Sequence, residues 1–471
     1  MPIERELKFH LAPRAAALVE RELAPGDAKP VRSIYYDTPE RDLQRSRMAL
    51  RLRRHGARWL QTLKCEISPA ARHEWEFPIA RRALDLERFP RDEIIAAAGI
   101  DLSQLKFEPV FETRFARRTA EVHLDDAALE LALDRGQVVA GGRREPIREL
   151  ELELKSGPPW TLLRYADSLI EPFGLALAFE SKAERGYRLA EGRELAPPRK
   201  WQRPDLADCS PGEALATLAA AALEQACRNA PGVLRSDDPE YLHQLRVGLR
   251  RLRTTLSAFK ALAPAAEALK EELRALTPVL GAARDWDVFA EALSRRARLW
   301  REVVSRQARA TRDARQLVAS AAFNRFLVHA LAWIEEAPWV PSEERLLPFA
   351  AAALERLHRK AMKQGDAIDW NDAAQRHVLR IRVKRLRYAC DSFAGVFGSG
   401  TVRSYLAGLE RLQDGLGRLN DIATGRRLLA DIGSHGAKRR ELDAAERRLI
   451  AGLPRAWKTF ARRPRFWKAD T

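Results

Sequence analysis

Near residue 197 the hydrophobic period of the chain changes from two to about 3.6, so no single secondary-structure class can serve both halves. Upstream, short alternating segments broken by turn residues read as antiparallel strands at 3–10, 48–54, 59–64, 73–77, 129–134, 147–155 and 177–182. Helical patterns interrupt them at about 12–23 and 159–170. Downstream, Ala, Leu, Arg and Glu recur at helical spacing and the alternation stops. The expectation is an α+β chain. An antiparallel β domain covers 1–195, a Pro-rich linker covers 196–204, and an all-α domain covers 205–471.

The helical half repeats itself. His243-Gln-Leu-Arg246-Val-Gly-Leu-Arg250-Arg251-Leu-Arg253 matches His377-Val-Leu-Arg380-Ile-Arg382-Val-Lys384-Arg385-Leu-Arg387 at an offset of 134. A weaker match, Leu280-Gly281-Ala-Ala-Arg284-Asp285 against Leu416-Gly417-Arg-Leu-Asn420-Asp421, follows at an offset of 136. Two matches in register predict a duplicated helical unit, with a seam near Pro338-Trp-Val-Pro341.

Charge separates the halves further. Of the net +17, residues 1–200 hold +2 (35 Lys+Arg against 33 Asp+Glu), and the remaining +15 lies in 201–471. A field of that sign favours a polyanionic partner: nucleic acid, an anionic membrane surface or polyphosphate. The helical half shows no helix-turn-helix, RRM or zinc-finger signature, which argues against nucleic acid. No run of about 18 uncharged apolar residues predicts a membrane span, and Glu4, Arg5, Glu6 and Lys8 break any leader-like start, so the expected location is the cytoplasm. The four cysteines lack C-x-x-C spacing, which speaks against a zinc ribbon or a disulfide framework.

Side chains two apart on a strand share a face. Glu4, Glu6 and Lys8 therefore point one way, as do Glu149, Glu151 and Glu153, whose intervening leucines must meet the core. Arg51 with Arg53, Lys64 and Lys182 supply cations on other strands by the same rule. A solvated polar face explains any one of these strands alone. Segregating acids and bases by strand suits a closed barrel with a charged interior better. Clustered carboxylates repel unless a hard divalent cation sits among them, and arginine facing them grips phosphate oxygens in pairs.

These residues, with Tyr36-Asp37-Thr38-Pro39, Leu50-Arg51-Leu52-Arg53, Glu149-Leu-Glu151-Leu-Glu153-Leu-Lys155 and Ser181-Lys182-Ala-Glu-Arg185-Gly186-Tyr187, resemble the CYTH family of triphosphate tunnel metalloenzymes over about 1–195. The resemblance implies an eight-stranded antiparallel tunnel that hydrolyses inorganic triphosphate with Mg²⁺ or Mn²⁺. On it, Glu4, Glu6, Glu149, Glu151 and Glu153 hold metal or orient water. Lys8, Arg51, Arg53, Lys64, Arg114 and Lys182 bind the phosphates. Asp134, Glu74 and Glu76 are further inward acids, and either Arg117 or Arg118 faces inward. No Gly-x-x-x-x-Gly-Lys loop is present, so side chains would hold the phosphates.

In the helical half, His243, Arg246, Arg250 and Arg253 make one helical stripe opposite Leu245, Leu249, Leu252 and Leu256. His377, Arg380, Lys384 and Arg387 repeat it. A solvated basic face explains one such helix; two copies point to a ligand. The stripes resemble the CHAD domain, over about 205–465, which implies inorganic polyphosphate as partner and association with polyphosphate granules. The alternatives to a triphosphatase are a non-catalytic polyphosphate-binding scaffold and an adenylyl cyclase of the same fold.

Overall fold

The computed structural model describes residues 3–55, 58–68, 71–295, 298–340, 342, 344–433 and 436–468. Pro341, in the expected seam, lies outside them. The chain forms two compact units, residues 1–198 with 319–336, and 199–318 with 337–471.

The first unit is an eight-stranded antiparallel barrel. Its strands are β1 (Ile3–His10), β2 (Lys29–Asp37), β3 (Met48–His55), β4 (Arg58–Ser68), β5 (Ala71–Ile79), β6 (Glu108–His123), β7 (Ala128–Ala140) and β8 (Arg143–Ser156). They run in the order β5-β4-β3-β2-β6-β7-β8-β1, and β1 closes the ring on β5 through Ile3–His73, Glu4–Arg72 and Arg5–Ala71. A two-residue strand β9 (Ala176–Leu177) adds to β1. The helices are α1 (Pro13–Glu22), α2 (Asp42–Arg45), α3 (Arg91–Ala98), α4 (Pro159–Phe173) and α5 (Lys182–Ala190).

Period-two alternation decides which side chains enter the barrel. Leu150 and Leu152 on β8 are buried outward beneath the apolar face of α4 (Leu162, Leu163, Ala166, Ile170), which sends Glu151 between them inward, and Leu131 and Leu133 on β7 are likewise buried, with Ala132 between them lining the cavity. A second outer core of Leu50, Leu63, Trp75, Phe89 and Ile94 lies over β3–β5. The stretch 177–182, read as a strand, is extended only to Leu177. Ser181 Oγ accepts the Glu184 N–H and Glu184 Oε2 accepts the Ser181 N–H, a reciprocal cap that starts α5 at Lys182.

The second unit is helical: α6 (Pro211–Arg235), α7 (Pro239–Ala258), α8 (Glu267–Glu291), α9 (Trp300–Ala319), then α11 (Leu346–Asp366), α12 (Ala373–Phe393), α13 (Ser399–Asp431) and α14 (Ala437–Ala461). The duplicated segments fall on α7 and α12, whose first residues, Pro239 and Ala373, are separated by the repeat offset. The intervening helix α10 (Ala321–Glu336) packs with the barrel unit against α4 and β9. The sequence reading assigned it to the helical domain because its spacing matches its neighbours. The Pro-rich stretch is also less of a linker than composition suggests. Arg199 N–H donates to Asn229 Oδ1 at 3.0 Å, the Arg251 guanidinium stacks 4.0 Å from the Trp201 ring, and Arg203 pairs with Asp391 at 3.0 Å.

Candidate functional site

The barrel encloses a cavity of about 520 Å³ lined by nine carboxylates and nine lysines or arginines. The charges are partly sorted around the ring, although Lys8 on β1 and Lys155 on β8 stand among the acids, and Glu66 on β4 and Glu74 and Glu76 on β5 stand among the bases. Acids cluster on three adjacent strands: Glu130 on β7, Glu151 and Glu153 on β8, Glu4 and Glu6 on β1. Across from them stand Arg51 and Arg53 on β3, with Lys64 on β4 and Arg117 on β6 to either side of the acids. The strand register puts Glu6 opposite Glu153 and Glu153 opposite Glu130, a row of three like charges. Directly opposed like charges repel, so such a row needs cations.

Within the protein, lysines and arginines meet that need. Lys64 Nζ lies 2.6 Å from Glu4 and 3.2 Å from Glu74, and Arg72 bridges Glu4 and Glu6 at 3.6 and 2.5 Å. Lys8 contacts Glu6 at 2.5 Å, and Lys155 contacts Glu153 at 2.7 Å. Lys182, at the first turn of α5, reaches Asp134, Glu149 and Glu151 at 2.8, 2.6 and 2.8 Å. Arg117 grips both oxygens of Asp134, at 2.7 and 2.6 Å, and also Glu151.

Burial would raise every acid here, and the cations decide which stay charged. For Glu6, Arg72 and Lys8 outweigh burial and hold the carboxyl well below the usual range. For Glu151, Lys182 and Arg117 do the same. Glu4 goes the other way: burial prevails over Lys64, and Glu6 and Glu74 add to it, pushing it up to about 7. Burial, then Arg51 and Arg117, bring the Arg53 guanidinium down to about 10. Arg53 has no carboxylate partner within 4 Å among the described residues, so its charge faces open cavity.

Three sequence expectations change. Arg114 lies outside the barrel, 51% exposed and paired with Glu112. Phe115 and Arg117 are the β6 residues that line the cavity, so period two excludes Arg114 and Arg118 together; Arg118 instead pairs with Glu20 at 2.8 Å. Glu149 is fully buried and does not line the cavity; Lys182 and Arg185 hold it from behind. Lys182 enters from a helix terminus and not from a strand. Glu4, Glu6, Glu151, Glu153, Lys8, Arg51, Arg53, Lys64 and Lys182 all line the cavity, as do Glu74 and Glu76. Sequence reasoning passed over Arg72, Glu130 and Tyr35. Arg72 shares parity with Glu74 and Glu76, and Glu130 with Asp134, so the signal was present. Tyr35 pairs across strands with Arg51 and stacks on Phe111 at 4.4 Å, contacts that sequence does not show.

A hard divalent cation suits this donor set. Four carboxylates and Glu130 stand on neighbouring strands, and Mg²⁺ and Mn²⁺ take oxygen ligands. Among the described residues no three carboxylates converge as a preformed ligand group, because each is turned toward a lysine or arginine. Their register nevertheless places them on one wall.

In the helical unit, the two basic stripes meet. Helix α7 packs against α12, and Arg250 Nη1 donates to the Tyr388 hydroxyl at 3.1 Å across that contact. Arg246, Arg380 and Lys384 make no ion pair among the described residues, and with Arg250 they repel one another. Burial and then Arg250 and Arg380 push Lys384 down to about 6; burial, then Arg284, pushes His243 down to about 4. The second repeat match backs the first: His377 Nδ1 lies 3.3 Å from Asn420 Oδ1, and Arg284 neighbours His243. Arg387 donates to Gln413 at 2.6 Å, while Arg253 borders a small groove with Leu273 and Thr277. Two separate stripes are therefore one cluster of cations, with Asp285 and Asp421 as neighbouring acids that make no ion pair with them among the described residues.

The CYTH domain model matches residues 2–187 and the CHAD domain model residues 217–430. Residues 2–187 are thus a CYTH domain and residues 217–430 a CHAD domain. An inorganic triphosphatase of Haemophilus influenzae is 28% identical over 202 residues, covering 40% of this chain and 54% of that protein, so the match spans about half the relative's length. An uncharacterized protein of Mycobacterium tuberculosis is 28% identical over 412 residues, covering 79% of this chain and 77% of that one. Among solved structures, the CHAD domain from the plant Ricinus communis is similar at 32% identity and a TM-score of 0.48, covering 58% of this chain and 94% of that domain. No single helix among the described residues is long and apolar enough to cross a membrane.

Proposed function

We propose that the barrel hydrolyses inorganic triphosphate with the aid of Mg²⁺ or Mn²⁺, and that the helical unit binds inorganic polyphosphate. The observation that carries the first part is the charged cavity, in which carboxylates concentrate on β7, β8 and β1 with Arg51 and Arg53 across from them on β3 and Lys64 and Arg117 to either side. A phosphate chain is a string of oxyanions, and a wall of fixed cations holds it without loop amides. Arg53, Arg51, Lys64 and Arg117 would take the phosphate oxygens, with Lys182 and Lys8 at the border with the acid wall.

Glu4, Glu6, Glu151 and Glu153, with Glu130 beside them, would hold the metal, which supplies charge neutralisation and an acidified water. The chain's own part is positional and electrostatic. The cations offset the charge that repels an incoming water and stabilise the departing pyrophosphate. No side chain is required as a covalent nucleophile. Arg72 and Lys64 keep Glu6 and Glu74 ionised, so these oxygens accept and do not donate. For the helical unit, the support is the cation cluster of Arg246, Arg250, Arg380 and Lys384, which makes no ion pair among the described residues although Asp285 and Asp421 are neighbouring acids; His243, Arg253, His377 and Arg387 flank it.

The test is orthophosphate release from inorganic triphosphate, ATP, thiamine triphosphate and long polyphosphate, with and without each metal. Metal-dependent release from inorganic triphosphate in preference to ATP supports the reading. Cyclic nucleotide formation from ATP would favour the cyclase, and binding without release would favour the scaffold. With the polyphosphate part goes a proposed location in the cytoplasm near polyphosphate stores, which fractionation checks.

A further inference from the structure

The duplication leaves helix α10 unexplained. In order, α6 to α9 correspond to α11 to α14, and α10 lies between the two copies as an extra element. It packs with the barrel, and its attachment is specific. Arg325 donates through Nε and Nη2 to the two oxygens of Asp167 on α4, at 3.0 and 3.1 Å, and His329 lies 3.1 Å from the same carboxylate. Phe323, Phe326, Leu327 and Ala330 are buried.

Two residues of α10 reach the cavity or the segment beside it. Leu331, 5% exposed, lines the cavity together with Leu177, Ala178 and Phe179. Asn324, 3% exposed, accepts the Leu177 N–H at Oδ1 (2.9 Å) while its Nδ2 donates to the Ser320 carbonyl at 2.9 Å. Leu177 pairs with Phe9 of β1, and the next N–H, that of Ala178, donates to the Lys8 carbonyl at 2.7 Å. The chain then runs through Phe179 and Glu180 to Ser181, the cap that starts α5 and aims Lys182 at Asp134, Glu149 and Glu151. Only four residues, 178–181, separate Leu177, where Asn324 accepts its hydrogen bond, from Lys182, and they have no helix of their own to stiffen them.

We propose that α10 is a working part of the triphosphate tunnel. Asn324 is a positioning residue that acts on Lys182 through segment 177–181, and Leu331 is a wall residue that keeps one side of the cavity apolar and free of competing anions. The barrel is thereby completed in cis by a helix that the sequence places in the other half of the chain. This rests on the triphosphate reading above.

The test uses the full-length chain and inorganic triphosphate, with turnover measured as kcat and KM and binding measured separately by calorimetry. Leu331→Glu adds a carboxylate to the wall facing a polyanion and should weaken triphosphate binding by about tenfold or more, whereas Leu331→Met should stay within about twofold. Asn324→Ala removes the acceptor of the Leu177 N–H and should raise KM and Kd about fivefold with a smaller change in kcat; Asn324→Asp, which keeps an acceptor, should recover most of the affinity. Circular dichroism and the melting temperature establish that each variant is folded, and if Leu331→Glu does not fold, the Asn324 pair decides. Folded Asn324→Ala and Leu331→Glu proteins that bind triphosphate as tightly as the parent would overturn the proposal and leave α10 as packing alone. A parent protein that neither binds nor hydrolyses triphosphate would instead bring down the triphosphate reading, and this inference with it.

Discussion

Replacing Lys384 by methionine should stabilise the helical unit while weakening its hold on polyphosphate. Lys384 faces Arg250 and Arg246 of α7 and Arg380 of its own helix, with Asp421 as the nearest opposing acid, and burial and these neighbours bring its ammonium from 10.5 to about 6. At pH 7 the unfolded chain keeps the proton and the folded one has mostly lost it, so this residue opposes folding. The cost is absent above pH 10.5, grows as the pH falls toward 6, and is constant below that. At about 1.4 kcal/mol per pH unit, linkage sets a ceiling at pH 7 of about 5 kcal/mol. Relaxation of the side chain toward water reduces the expected gain for Lys384→Met to about 1–2 kcal/mol. Hydrogen exchange in the full-length protein reads this directly, since the slowest amides of α12 should gain about 5–30-fold protection. Polyphosphate should restore the proton. At pH 8 the parent should therefore take up about one proton on binding, seen as calorimetric heats that depend on the buffer, and the variant none, with affinity lower by about tenfold. Unchanged or reduced α12 protection in Lys384→Met, together with no proton uptake by the parent, would refute the reasoning.

Arg53→Ala should raise the KM for triphosphate about tenfold or more, because Arg53 points an unpaired charge into the cavity, while Arg114→Ala should leave it within about twofold, because Arg114 pairs with Glu112 outside. Steady-state kinetics on the two variants side by side would show an error if Arg114 proved the more costly. Glu153→Gln should weaken metal activation, read as a rightward shift in the metal titration of about fivefold or more, and an unchanged curve would remove it from the ligand wall. Gly186→Ala should destabilise the barrel by about 2–4 kcal/mol, since its Cβ would fall within the Phe111 ring that stacks on Tyr35; thermal unfolding with no loss would show that α5 can retreat from β6.

The sequence made most of the barrel legible because period two carries two messages at once. Leu150, Leu152 and Leu154 had to face apolar cover, so Glu151 and Glu153 had to face the other way, and the same parity gives Arg51 with Arg53. Parity also governs β6, where Phe115 and Arg117 go in together and Arg114 cannot, but a strand with charges on both faces gives no apolar side to set the phase. Glu149 obeys the rule and still misses the cavity, since depth along the tunnel depends on what fills the end, here Lys182 and Arg185 from α5. The cap that starts α5 was written in Ser181-x-x-Glu184, yet the alternation of Leu177 to Lys182 masked it. In the helical half, the spacing of each stripe was readable and the meeting of the two was not, because it depends on α7 packing against α12. Helix α10 was the least accessible feature: its periodicity is that of any amphipathic helix, and nothing local indicates which unit will bury it.

The central claim concerns what the sorted charges in the barrel are for. Its most direct measurement is the rate of orthophosphate release from inorganic triphosphate at saturating Mg²⁺ or Mn²⁺ by the parent protein and by Glu6→Gln, the acid that Arg72 and Lys8 hold ionised on the wall facing Arg53. The account predicts metal-dependent release by the parent and a loss of about 100-fold or more in folded Glu6→Gln. Equal rates for the two proteins, or release by the parent that metal does not affect, would contradict it.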